Sequence, residues 1–469
     1  MNLPEEEVPG VSGNQERFNT PDGIQKLDVS LAQIELDEKE TSEPVPLTEE
    51  ALLDRLTELP YKLFVLSEYG RPIYASCGYE EQLCSLFALI GVFVSRISSW
   101  GDTLQTISSG EVHVHFSHRS PLILCLVSRK SERLDDQISV VFDQILSTLS
   151  REQLESIYRK KGDNFDLRRF LIGTNKFMES SLSSWRYDLA LSHSAFRVLP
   201  MNPTDRDFLS STMANCLSAA KLDSTIFGLV IAHCQIAARV RHKKHEIHPR
   251  DMHILINLID NSPSFKDAEM WIPICLPHFD DSGFFYAYIV HPWANSKIPL
   301  PVCIVLLTVK KDHFEKQKEV VQNIVQKLEA NDKFFGNFQM AVTKPALFSI
   351  QQVGTGNEHL WQFVFKNRLI KQLCVSAAKI PLISKGERDM ARDAVHRVSE
   401  MIKKEQQMRL IFIRNNYSTL LIWVTDMFEL YCIFSPFVTP KTATNIIDKL
   451  LKALKAHEQR YFLLHSPSF

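Results

Sequence analysis

Short apolar runs of strand length and longer amphipathic runs follow one another in a fixed order along this chain. The order occurs three times: two strand-like segments, a helix, three strand-like segments and a closing helix. In the first copy Lys62–Ser67 and Pro72–Ser76 flank Glu68-Tyr69-Gly70-Arg71, a hairpin turn with glycine where an unusual φ is needed. A helix is predicted over Glu80–Ser98, then strands over Thr103–Ser108, Val112–Ser117 and Leu122–Ser128, and helices near Leu134–Leu149 and Leu167–Leu182. The second copy reads Thr225–Ala232 and Gln235–Val240, a helix from Pro249 to Ile259 with proline in its first turn, strands at Met270–Cys275, Phe284–Val290 and Val302–Val309, and a helix at His313–Ala330. The third runs Leu360–Lys366, Ile370–Val375, a helix at Arg388–Glu405, Leu410–Ile413, Thr419–Thr425, Glu429–Phe434 and a helix at Thr442–His457. A five-stranded antiparallel sheet with flanking helices accounts for each copy, so the fold class is α+β with three like modules. They are assigned to residues 59–190, 195–332 and 340–469.

The helix over Glu80–Ser98 departs from the amphipathic norm. Leu83, Leu86, Phe87, Ile90, Phe93, Val94 and Ile97 share one face, which should pack on the module's own sheet. The other face reads Cys84, Ser85, Ala88, Leu89, Gly91, Val92 and Ser95, small or apolar where a lone module would be charged. A helix of this kind is buried on both sides. The cover comes either from another segment of this chain or from a partner protein.

Composition adds an asymmetry. Residues 1–60 hold 15 acidic and 4 basic side chains, a net of −11, while the remainder holds 40 acidic and 49 basic, a net of +9. The acidic tail over 1–58 cannot bury enough apolar surface to offset its ordering entropy and is expected to be disordered, as a solubilising or a regulatory segment. The body is too weakly basic to imply nucleic acid. Nine cysteines, with no CxxC, read as buried free thiols of a reducing compartment. The first ten residues lack the apolar core of a signal peptide, and Leu83–Ile97 is too short to span a bilayer. The expectation is a cytosolic protein with peripheral membrane association.

Catalytic signatures are missing. There is no phosphate loop, GxSxG elbow or kinase motif, and Gly354-Thr355-Gly356 reads as a loop. No covalent chemistry and no cofactor are expected. His113 and His115 share a strand face, but sequence places no further ligand, so no metal is assigned. His242, His245, His248 and His253 are read as solvated surface histidines. The run Arg241-His242-Lys243-Lys244 is expected to cap the second module's hairpin and, with Arg239 and Arg250 nearby, offers cations to an anionic lipid headgroup. The lipid candidates are Arg239, Arg241, Lys243 and Lys244.

Several blocks resemble the SAND family of vacuolar fusion proteins, Mon-one and its relatives. They are Leu66–Gly78 (LSEYGRPIYASCG), Arg119–Arg129, Phe165–Leu171, His248–Ile289, Trp423–Pro436 and Leu451–Pro467, covering the chain from about Leu59 onward. The resemblance implies three longin domains and a heterodimer with a Ccz-one-type subunit that also has three longin domains. It implies guanine-nucleotide exchange on the small GTPase Rab-seven, in endosome maturation, vacuole or lysosome fusion and autophagy. It further implies recruitment to those membranes through phosphoinositides and Rab-five. It places the working surface on the first module, which here gives Glu68, Arg71, Tyr74, Cys84, Ser85, Ala88, Leu89, Val92 and Arg96 as candidates. A longin scaffold or tether without exchange activity is the competing expectation.

Overall fold

β-Branched and aromatic residues set the strands. Tyr61–Ser67 (β1, YKLFVLS) and Leu122–Ser128 (β5, LILCLVS) pair antiparallel at the centre of the first sheet. Pro72–Ala75 (β2) lies outside β1, and Val112–Arg119 (β4) and Thr106–Ser109 (β3) follow beyond β5, giving the order β2-β1-β5-β4-β3. The structure, a computed structural model, describes residues 61–76, 83–129, 133–161, 167–262, 269–354, 358–405 and 409–469. The tail over 1–58 and the helix start predicted at Glu80 fall outside these residues.

The second sheet repeats the topology as β8-β7-β11-β10-β9, with β7 at Thr225–Ala232, β8 at Gln235–Arg241, β9 at Met270–Leu276, β10 at Asp280–Val290 and β11 at Val302–Thr308. The third is β14-β15-β16-β12-β13-β6, with β12 at Leu360–Asn367, β13 at Gln372–Val375, β14 at Leu410–Arg414, β15 at Thr419–Val424 and β16 at Phe428–Phe434. Five of its strands follow the same plan. The sixth corrects the expectation of five: β6, only Phe196–Arg197, comes from the linker after the first module and pairs in parallel with β13. Val198 continues onto Ile236 of β8. The linker therefore joins the second and third sheets through backbone hydrogen bonds, which two residues of sequence could not announce.

Helices cover both faces of each sheet. In the first module α1 (Cys84–Ser98) packs through Leu83, Phe87, Ile90 and Val94 on Phe64, Leu66, Phe116 and Ile123. Phe64 and Phe87 meet edge to face at 5.7 Å. The other face, through Leu63, Val65, Leu124 and Leu126, takes α2 (Leu134–Thr148) and Met178 and Leu182 of α4 (Asn175–Tyr187), with α3 (Arg151–Lys161) alongside. The second sheet lies between α6 (Pro249–Asp260) and the pair α5 (Pro203–Ala219) and α7 (Phe314–Glu329). α8 (Asp332–Thr343) packs beside them through Phe334 and Phe338. In the third module α9 (Lys385–Lys404) covers one face and α10 (Pro440–Ala456) the other. α5 was not foreseen, because its run of Ser, Thr, Asn and Ala carries no clear apolar stripe.

α2 is where the modules meet. Arg133, in the left-handed region at φ 53°, bonds Asp136 at 2.8 Å and Ser399 Oγ on α9 at 3.2 Å, and its guanidinium lies 5.2 Å from the Trp185 ring. Lys403 of α9 reaches the same Asp136. On the next turns Asp143 receives Arg250 at 3.3 Å and His278 at 2.8 Å, both from the second module. Asn257 of α6 donates to Gln144 Oε1, Phe177 O and Ser181 Oγ. Burial works against the charge of Asp136, yet Arg133 and Lys403 hold its carboxyl below the usual range.

Candidate interaction surface

The three helices that follow the second strand of each module, α1, α6 and α9, differ in what lies outside them. α6 is buried between its sheet and α2, α4 and the short helix Leu189–Ser192. α9 is partly covered: Arg186 of α4 makes a two-pronged contact with Asp393, at 2.9 and 3.2 Å, while Met390 and Met401 are exposed. Among the described residues the outer face of α1 is open.

That face carries most of the residues proposed from sequence. Cys84, Ser85, Ala88, Leu89, Val92 and Arg96 are all exposed, with Leu89 at 50% and Val92 at 62%. Gly91 lets the hairpin turn approach: a Cβ there would stand 3.6 Å from Gly70 Cα, so the β1–β2 turn rests on the middle of the helix. Glu68 and Arg71 on that turn are exposed beside it.

Tyr74 is a correction. Its side chain is 2% exposed, its ring packs with the α2 and α4 core and its hydroxyl donates to Glu179, because the alternation of β2 turns it to the opposite face of the sheet. Phe93, assigned to the sheet side, is exposed on the flank of the open face. Trp100 (65% exposed) and Tyr69 extend the surface, and neither was among the candidates. Arg96 lies 5.2 Å from the Trp100 ring, and Tyr69 stacks on Tyr158 at 6.0 Å. Leu89, Val92, Arg96 and Trp100 fall at helical spacing, a signal that continuing the helical wheel past Ser98 would have caught.

The basic run also moves. The turn between β7 and β8 is His233-Cys234, both at positive φ, and Arg241-His242-Lys243-Lys244 lies at the far end of β8. Arg239 is withdrawn from solvent over Phe196 and donates to Ser466 Oγ, and burial lowers its pKa. Arg241 pairs with Glu246 at 2.9 Å. Lys243 and Lys244 remain exposed. Two of the four histidines are not solvated. His253 is buried against Ala195 O, and His248 caps α6, stacks on His278 at 4.4 Å and is lowered to about 4 by burial and by the facing His278. His113 and His115 bond Ser108 and Thr106 across the β3–β4 pair. Among the described cysteines Cys84 is exposed and Cys234 half-buried, and the rest are buried thiols.

Family models for the first, second and third Longin domains of FUZ, MON1 and HPS1 match residues 61–180, 223–326 and 359–458. Vacuolar fusion protein MON1 homolog A from Gallus gallus is 30% identical over 406 residues, spanning 86% of this chain and 72% of its own length. The chain belongs to the MON1/SAND family. Protein SAND from Takifugu rubripes is 31% identical over 410 residues (86% and 76% of the two chains), and MON1 homolog B from Homo sapiens is 31% identical over 429 residues (87% and 76%). The three sheets are thus three longin domains, and the α+β class and family resemblance read from sequence both hold. Among the described residues no helix is long and apolar enough to cross a membrane.

Proposed function

We propose that this MON1/SAND-family chain is one subunit of a heterodimeric guanine-nucleotide exchange factor. A Ccz-one-type subunit with three longin domains docks on the outer face of α1, and the pair opens the nucleotide site of Rab-seven. The observation that supports the reading is the contrast among equivalent helices: the described residues cover α6 and part of α9 with helices of this chain and leave α1 apolar and open. Exchange breaks no covalent bond. A GTPase holds its nucleotide through Mg²⁺ and ordered switch loops, and a surface that binds the open form better shifts the population toward release. Glu68 and Arg71 on the adjoining turn supply charges beside the apolar face.

Recruitment to endosome and vacuole or lysosome membranes rests on phosphoinositides and Rab-five in this reading. Lys243 and Lys244 are the residues available to anionic headgroups, at about 1 kcal/mol per cation near the surface. Release of a fluorescent nucleotide from Rab-seven, with and without this chain and its partner, tests the activity. No acceleration by an intact heterodimer would leave the scaffold or tether reading in its place. Ala88→Glu should prevent co-purification of the partner, a loss of a hundredfold or more if a charge is buried unpaired, about 3 kcal/mol at least. The monomer's melting temperature should not move.

A further inference from the structure

Away from α1, two imidazoles face each other where the second module meets α2. His248 is the N-cap of α6: its Nδ1 accepts from the Arg250 N–H at 3.3 Å, so that nitrogen carries no proton and the ring is neutral. His278, in the turn between β9 and β10, stacks on it at 4.4 Å and places Nε2 2.8 Å from Asp143 Oδ2 on α2. A proton therefore does opposite work on the two rings. On His278 it makes the bond to Asp143 charge-assisted and strengthens a contact across the module boundary. On His248 it removes the acceptor that caps α6 and sets a cation at the positive end of the helix. Two charged rings this close repel, so the first proton opposes the second.

The surroundings divide in the same way. His278 is faced by Asp143 of α2 and by Arg250 and Asp251 of α6; Asp251, fully buried, also accepts the His278 backbone N–H at 3.1 Å. Arg250 is shared between Asp143 and Asp136. Beside Asp251, the buried Cys275 thiol of β9 adjoins Asp280, Asp281 and Arg151. His248 is faced by His278, by Arg250 and by Lys371 of the third module's β12–β13 turn, with Asp143 opposing them. The bond to Asp143 raises the pKa of His278, whereas burial and the facing cations lower His248 to about 4.

We propose that the His248–His278 pair is a one-proton latch between the first and second modules. It fastens the β9–β10 turn to α2 while His278 holds a proton and His248 does not, and it loosens when that proton leaves or a second one arrives. The His278 contribution is full below the unfolded value of about 6.5 and is lost as pH rises through its raised folded value. The His248 contribution is full above about 6.5 and is lost as pH falls toward 4. The hold between the modules is thus strongest near the pH where the two ranges meet and weaker on either side.

Melting of the full chain across pH tests the latch. His278→Gln can still donate to Asp143 but does not titrate, so the native chain's advantage in melting temperature should narrow as pH rises from about 6.5 to about 8.5. The non-additivity of His278→Gln with Asp143→Asn should shrink over the same rise. His248→Asn keeps a cap that does not titrate, so the variant should gain on the native chain as pH falls from about 6 to about 4. Magnetic resonance of isotope-labelled histidine Cε1 positions reads the coupling between the rings. In His278→Gln the His248 signal should titrate at higher pH than in the native chain. Differences in melting temperature that stay constant with pH, or a His248 titration unmoved by His278→Gln, overturn the proposal and leave the two rings as packing and capping groups.

Discussion

α1 and α6 occupy the same place in two copies of one domain, each following the second strand and packing on one face of its sheet. α1 is apolar or small nearly all round, whereas α6 carries a polar side of Arg250, His253, Asn257 and Asp260. α6 meets α2, α4 and the Leu189–Ser192 helix on its outer side, with Asn257 bonded to three groups of the first module. α1 meets solvent there, through Leu89, Val92, Phe93 and Trp100. A helix that is apolar on both sides reports that something covers it without saying what. In α6 the cover is internal and serves cohesion between modules; in α1 the corresponding side is exposed among the described residues, and the proposal above assigns it to another molecule.

Charged substitutions test the contrast most severely. Ile254→Asp buries an unpaired carboxylate in α6 and should cost about 3–5 kcal/mol in chemical denaturation, enough to unfold much of the protein. Val92→Asp on α1 should change stability by less than about 0.5 kcal/mol. Equal losses at the two sites would mean that the open face is covered within the chain.

A pH series sharpens the cohesive side. The hydrogen bond from His278 to Asp143 raises the imidazole's pKa, with the charges of Asp143 and Asp251 adding to it. A raised folded-state pKa means that this contribution is full below the unfolded value of about 6.5 and is lost as pH rises through the folded value. Burial raises Asp251 to about 6, which acts in the same direction. His248, lowered to about 4, acts oppositely, and its contribution fades as pH falls from 6.5 toward 4. Asp143→Asn should therefore flatten the fall in melting temperature as pH rises from about 6.5. An unchanged slope would remove His278 from the account.

The smallest effect lies on α1 itself. Gly91→Ala places a Cβ 3.6 Å from Gly70 Cα, an ordinary contact, and should stabilise the helix by up to about 1 kcal/mol. Gly70→Ala, at φ +80°, should destabilise by a similar amount. A loss of partner binding in Gly91→Ala with stability gained would show that the turn's close approach belongs to the docking surface.

Much of the fold was legible because strands and helices of one period bury one face, and that period is written in the residues. Thr225–Ala232 and the α6 helix were read within a residue or so, and Cys84, Ser85, Ala88, Leu89, Val92 and Ser95 were read onto the outer side of α1, where they are exposed, while Phe93 was misassigned to the sheet side. The parts missed depend on partners distant in sequence. Nothing local distinguishes Arg239, which stacks on Phe196, from Lys243, which is exposed. Tyr74 reads as a surface aromatic until the pleat of β2 turns it onto Glu179. Nothing was read from the acids Asp136 and Asp143, and only the approach of Lys403, Arg250 and His278 makes them the junction.

By itself, then, the sequence determined the three longin domains, the chain order of their strands and helices and the double-sided apolarity of α1, since local periodicity and hydrophobic burial act within about a module's length. Tertiary structure alone decided which of those helices the chain covers and which it leaves open, how a two-residue linker strand joins two sheets, and which cations stay in solvent. Those outcomes depend on surfaces that meet across tens to hundreds of residues, where shape and charge pairing rather than local pattern set the free energy.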